Sequence, residues 1–169
     1  MAGRLSMLAI ACGLVASPAL AASLDPLLEG FDDACDYSDG LAALLQSSYA
    51  FARTEGDIAI PAGYETVFGQ PTVAPVDEYL HIALPVNGGT WRGVPVQEIE
   101  IFITALESGF SSHAVIFPAG AAKQAEETFK ARGDAAQTKL TAQDESDLGW
   151  QTGFSVVDGV PRYMCDLST

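Results

Sequence analysis

Two histidines and two glutamates are the residues of this sequence whose types and spacing best fit a chemical role. Glu98 and Glu100 lie two positions apart in an alternating apolar run, so they project from the same face of a predicted strand. If the neighbouring strands pair with it as simple hairpins, His81 and His113 project from that face as well. Imidazole and carboxylate groups bind zinc, and they also serve as general acids and bases. The sequence therefore predicts an ordinary solvated sheet face, with a metal-binding or hydrolytic site formed by these four residues as the alternative.

A second candidate site is the glycine-rich segment that carries Trp91 and Arg92. These two residues are flanked by Gly88, Gly89 and Gly93. Tryptophan and arginine dominate the energetics of many protein interfaces, so this loop could insert into a pocket of a partner protein. Large apolar side chains are mostly buried in proteins, so the alternative is that Trp91 folds back onto the core.

The sequence lacks the complete motifs of the common enzyme classes. Two Gly-Phe-Ser segments, at 109–111 and 153–155, begin the nucleophile motif Gly-x-Ser-x-Gly, but neither has the second glycine. A phosphate-binding loop is also missing from the sequence, because no glycine is followed by lysine. These features favour a binding protein without a cofactor over an enzyme.

Cysteine usage predicts a disulfide bond between Cys35 and Cys165, the cysteines that follow the predicted leader. Exported proteins meet an oxidising compartment, so pairing is expected. Cys35 falls on the apolar stripe of a helix predicted from Asp25, and Cys165 falls on the apolar face of a predicted strand, so the two elements should pack together. The chain has no Cys-x-x-Cys motif, which argues against a redox or zinc-thiolate role.

Residues 1–21 have the pattern of a secretory signal peptide. Arg4 is their only charged residue, an apolar run follows, and the segment ends in Ala-Leu-Ala, a small-x-small cleavage site. The predicted mature domain, residues 22–169, loses one of the 8 basic residues and none of the 22 acidic ones, so the net charge changes from −14 to −15. This charge disfavours nucleic acid and anionic lipid as partners, and the predicted mature chain has no apolar run long enough to span a membrane. A periplasmic or secreted location is therefore expected.

The order of the predicted elements indicates a single α+β domain. In order, they are helices at 25–35 and 41–51, strands at 78–85, 94–104 and 111–117, a helix at 119–132, and a hairpin that turns at 158–159. Gly133 is placed at the left-handed cap of the third helix, and Asp158-Gly159 is the strongest hairpin signal in the chain. We expect a mainly antiparallel sheet, built from a three-strand meander plus the C-terminal hairpin, with the helices packed on one face.

The sequence therefore predicts an exported, non-enzymatic binding protein, acting as an inhibitor or partner of another envelope protein. An acidic surface would speed association with a cationic partner. The alternative is a metal-binding or hydrolytic protein that uses His81, Glu98, Glu100 and His113. Oligomeric state and ligand identity are left open by the sequence.

Overall fold

The computed structural model describes residues 21–104, 111–145 and 147–168. This part of the chain is α+β, as predicted, with two α-helices and nine strands. The strands, in order, are β1 (Ala22–Ser23), β2 (Thr72–Val76), β3 (Tyr79–Pro85), β4 (Gly89–Trp91), β5 (Val94–Pro95), β6 (Glu98–Thr104), β7 (Ser111–Ile116), β8 (Gln151–Val157) and β9 (Val160–Asp166). Residues 1–20 of the predicted signal peptide lie outside the described residues. Neither described helix is long and apolar enough to cross a membrane.

Six of the strands form one antiparallel sheet in the order β2-β3-β6-β7-β9-β8. The predicted meander is its centre, and the predicted C-terminal hairpin joins it through pairing of β9 with β7. The remaining strands, β1, β4 and β5, form a small separate sheet. The α+β architecture with a mainly antiparallel sheet is therefore confirmed.

The C-terminal hairpin has the predicted register. Asp158 and Gly159 both adopt positive φ, 52° and 79°, as a type I′ turn requires. The register that this turn sets places Thr152 opposite Cys165. Along β9 the burial alternates strictly, so Cys165 points into the core.

The second and third predicted helices exist, but the latter is longer than predicted. Helix α1 spans Asp39–Ala52, and the Ser38 hydroxyl caps it by accepting a hydrogen bond from the Leu41 amide at 3.1 Å. Helix α2 spans Ala122–Gln143 and continues through Gly133, so the predicted cap at this position is wrong. Gly133 is required for close packing instead, because a Cβ atom there would lie 2.7 Å from the Cα of Gly153 on β8.

The helix predicted at 25–35 is wrong, because this segment forms a series of turns. Gly30, Ala34 and Cys35 have φ values of 83°, 65° and 62°, which a right-handed helix does not allow. The predicted apolar stripe is nevertheless buried: Leu24, Leu27, Leu28, Phe31, Ala34 and Cys35 all lie in the core. Hydrophobic spacing therefore identified the buried side chains but not the backbone that carries them.

The predicted disulfide between Cys35 and Cys165 is confirmed. It joins the turn segment before α1 to β9, with the two Cα atoms 5.8 Å apart, and it links positions separated by 130 residues. The two cysteines belong to one core cluster that also contains buried residues of both helices and Ile82, Ile101 and Tyr163 of the sheet. The disulfide therefore ties the first segment of the described chain to the last strand.

Candidate metal centre

One face of the large sheet carries a cluster of polar side chains. Along β6 the isoleucines Ile99, Ile101 and Ile103 are buried in the core, whereas Glu98 and Glu100 alternate with them and remain partly exposed. We call the glutamate side the open face. From the strand registers, the open face carries His81, Glu98, Glu100, Phe102, Ala114, Ile116, Arg162 and Met164.

Three of the four predicted ligand residues are brought together on the open face. His81, Glu98 and Glu100 each offer one ligand atom, and these atoms all lie within 4.8 Å of one another. His81 Nε2 lies 3.2 Å from Glu100 Oε2, yet this nitrogen is buried and has no aligned hydrogen-bond partner among the described residues. The His81 ring stacks on Phe102 with 4.5 Å between ring centroids, which fixes its orientation. The arrangement presents one imidazole nitrogen and two carboxylates to a common point.

Arg162 of β9 completes the cluster, and sequence reasoning missed it. Its Nη1 donates a hydrogen bond to Glu100 Oε1 at 2.9 Å, so the two oxygens of Glu100 have different neighbours. Side chains alternate between the two faces along β9, so Arg162 and Cys165 lie on opposite faces, and Arg162 lies on the open face. The pairing of β9 with β7, which brings Arg162 beside Glu100, joins distant parts of the chain and has no local sequence signal.

The electrostatics of the cluster favour an added cation. Partial burial raises the pKa of Glu98, the charge of Glu100 raises it further, and His81 and Arg162 act in the opposite direction. The two carboxylates therefore repel each other in a partly desolvated site. A cation held between them would remove this repulsion.

His113 does not belong to this cluster, so its predicted position is wrong. It pairs with Ile101 in the β6–β7 register and points into the core, where it is 4% exposed. The prediction assumed a register that differs by one residue, and such a slip moves a side chain to the other face. In the same register Ile116 lies opposite Glu98, on the open face.

Both ring nitrogens of His113 are held by tyrosine hydroxyl groups. The Tyr37 hydroxyl lies 2.9 Å from Nδ1, and the Tyr49 hydroxyl lies 2.6 Å from Nε2. Tyr37 also donates to Cys165 Sγ at 3.5 Å, so its oxygen accepts from Nδ1–H, and Nε2 accepts from Tyr49. Burial lowers the pKa of His113 to about 4, so the ring is neutral at pH 7. His113 is therefore a buried structural residue.

Trp91 is a core residue, so the interpretation as an exposed recognition finger is wrong. It is 1% exposed and packs against Phe129 and Tyr163 at centroid distances of 4.3 and 5.4 Å. Arg92 remains partly exposed, but it binds the buried Asp32 through Nε at 2.6 Å and Nη2 at 2.9 Å. Burial of the indole stabilises the fold more than exposure in a glycine-rich loop would, and Arg92 then neutralises Asp32.

None of the protein-family models, curated proteins or solved structures compared with this chain matches it.

Proposed function

We propose that this protein is an exported binding protein and that its open face binds a divalent transition metal through His81, Glu98 and Glu100. The observation that supports the proposal is the convergence of the three ligand atoms within 4.8 Å of one another. Imidazole nitrogen and carboxylate oxygen together suit Zn²⁺ and Cu²⁺. Export is supported by the leader-like pattern of residues 1–21 and by a disulfide, which is compatible with an oxidising compartment.

Little movement is needed to form the metal site. Zinc–ligand bonds of about 2.1 Å place neighbouring ligand atoms about 3.4 Å apart in a tetrahedral site. His81 Nε2 and Glu100 Oε2 are already 3.2 Å apart, and Glu98 offers a ligand atom within 4.8 Å of a ligand atom of each. Water would supply the remaining position.

Arg162 acts in this proposal as a positioning residue. Its bond to Glu100 Oε1 orients the carboxylate and leaves Oε2 directed towards His81. Outer hydrogen bonds of this kind fix the ligands of metal sites and tune their affinity. The charge of −15 on the predicted mature chain also concentrates cations near its surface.

The proposal is tested by calorimetric titration of Zn²⁺ into the exported chain, residues 22–169, with its disulfide intact. We expect one bound ion per chain and a loss of affinity of roughly tenfold or more in His81→Ala and in Glu98→Gln. Glu126→Gln is the matched control, because it removes one negative charge from an exposed position of α2. Absence of saturable binding, or equal affinity in His81→Ala and in the control variant, would overturn the proposal.

A further inference from the structure

The edge strand β2 presents a free backbone edge. It is the terminal strand of the large sheet, and all five of its residues are exposed. Val73 and Val76 are 37% and 41% exposed, although both are apolar. Among the described elements, β3 is the one that packs extensively against β2. This strand therefore differs from the covered strands at the centre of the sheet.

The register shows which backbone groups point away from the sheet. Val76 pairs with Tyr79 across the two-residue turn, so these two residues exchange hydrogen bonds and the pattern alternates along β2. Val73 and Pro75 therefore direct their backbone groups outwards. Pro75 has no N–H, which leaves the N–H and C=O of Val73 and the C=O of Pro75 on the free edge. No described residue forms a hydrogen bond with them.

An apolar cavity lies next to the same residue. Its volume is about 530 Å³, and its lining consists of Phe51, Ala52, Thr54, Gly56 and Val73. Residues directly opposite each other in a strand pair share one face of the sheet. A residue that paired with Val73 from outside would therefore direct its side chain into this cavity.

Acidic residues surround this edge in the sequence. Glu55 and Asp57 lie in the segment that lines the cavity, and Asp77 and Glu78 form the turn after β2. Arg53 is the one basic residue in these segments. The local charge is therefore complementary to a basic chain and unfavourable for a second copy of this acidic protein.

We propose that β2 binds an extended, basic segment of another protein by strand addition, with an apolar side chain of that segment in the cavity beside Val73. Backbone hydrogen bonds to Val73 would supply the general affinity, and the cavity and the acidic residues would supply the specificity. Because Pro75 offers no N–H, the segment pairs over a short length, with Val73 as its main anchor. This proposal is independent of the metal site.

The test uses the fluorescein-labelled peptide Lys-Thr-Lys-Leu-Lys-Thr-Lys as a probe, with fluorescence anisotropy as the readout. We expect saturable binding to the exported chain. A peptide with N-methylleucine at the centre has the same charge and side chains but cannot donate its central N–H to Val73. It should bind about tenfold more weakly or worse, because it loses a backbone hydrogen bond and the strand geometry.

Two lysine variants of β2 provide the matched comparison on the protein. Val73→Lys places a cation at the mouth of the cavity, whereas Val76→Lys makes the same charge change on the other face of the strand. Peptide affinity should fall about tenfold or more in Val73→Lys and about twofold or less in Val76→Lys. Circular dichroism confirms that both variants fold.

Three outcomes would overturn the proposal. The first is failure of the probe to bind at all. The second is equal weakening by both lysine variants with no effect of N-methylation, which would indicate adsorption to acidic surface charge alone. The third is a dimer of the free protein in sedimentation experiments that Val73→Lys dissociates, which would identify a second copy as the occupant of β2.

Discussion

The two edge strands of the large sheet, β8 and β2, present the same kind of backbone groups, but the described part of the chain covers β8 and leaves β2 exposed. The hairpin registers direct the backbone groups of Thr152 and Phe154 outwards on β8, as they do those of Val73 and Pro75 on β2. An exposed edge favours pairing with other chains, so proteins generally cover or block such edges. Within one sheet, the β8 edge is therefore covered whereas the β2 edge is exposed.

Helix α2 closes the β8 edge through a single glutamine. The Gln137 side chain donates to the Trp150 carbonyl at 3.1 Å and accepts from the Thr152 amide at 2.8 Å, as a neighbouring strand would. The helix can approach this closely because Gly133 has no Cβ and its backbone contacts Gly153. At β2, the described structure offers no equivalent cover, and Pro75 alone blocks part of the edge. The comparison assigns fold stability to the β9–β8 end and places a binding edge at the β2 end.

The disulfide should give the largest effect, because it anchors the β9–β8 end. Replacing Cys35 and Cys165 together with alanine should lower the free energy of unfolding by about 5 kcal/mol, from the chain entropy of a loop that closes 130 residues. Urea unfolding at pH 7 measures this difference. The oxidised protein should lose stability on reduction, whereas the double variant should not respond to reductant. Equal unfolding midpoints for the double variant and the oxidised protein would contradict our view that this end of the sheet carries the stability.

Some of this arrangement could be predicted from sequence, because some of it is determined locally. The Asp158-Gly159 turn allows one hairpin register, and that register correctly placed Cys165 in the core. Six residues separate β6 from β7 in the sequence, and no short turn motif there fixes the register of the two strands. A one-residue error there placed His113 on the open face rather than in the core.

Contacts between distant segments account for the other errors. Glycine frequently terminates helices, which is why the cap was predicted at Gly133. The close approach of Gly153, which requires a glycine at this position within α2, is visible only in three dimensions. Arg162 reaches Glu100 because β9 pairs with β7, which no local pattern indicates. Trp91 lies in a glycine-rich segment, but aromatic residues from α2 and β9 bury it. The proximity of His81, Glu98 and Glu100 was predicted correctly, because these residues lie on one strand or on the strand directly beside it.

The second largest effect should come from His113, because lowering the pH should reduce the free energy of unfolding through protonation of this residue. The pKa of His113 is about 4 in the fold because of burial, against 6.5 for an exposed histidine, and Asp166 opposes the shift. The unfolded chain therefore binds more protons between these values. The stability that neutral His113 confers is complete above pH 6.5 and is lost as the pH falls towards 4, by about 3 kcal/mol in total.

Urea unfolding at several pH values, repeated with His113→Gln, isolates this contribution. Glutamine retains hydrogen-bonding groups for Tyr37 and Tyr49 but does not titrate. The difference in unfolding free energy between the two proteins should shrink between pH 6.5 and 4, because carboxylate titration affects both alike. A difference that stays constant over this range would show that His113 is charged in the folded protein or accessible to water.

The smallest effect, and the most direct test of the comparison, is at the two edges themselves. Gln137→Ala leaves the Trp150 carbonyl and the Thr152 amide without their partner, so we expect a loss of about 1–2 kcal/mol in unfolding free energy. Gln143→Ala is the matched control, because this glutamine is exposed near the end of the same helix. Val73→Lys should change stability by less than about 0.5 kcal/mol, because it alters an exposed residue on the free edge.

Amide hydrogen exchange resolves the same comparison residue by residue. In the wild-type protein the Thr152 amide should exchange slowly, because Gln137 accepts its hydrogen bond, and the Val73 amide should exchange quickly, because it points away from the sheet. In Gln137→Ala the Thr152 amide should become fast while Val73 remains unchanged. Of these two amides, binding of the basic peptide should then slow the hydrogen exchange of Val73 alone. Protection of Val73 in the free protein would mean that β2 is already covered, and the distinction between a closed and an open edge would be wrong.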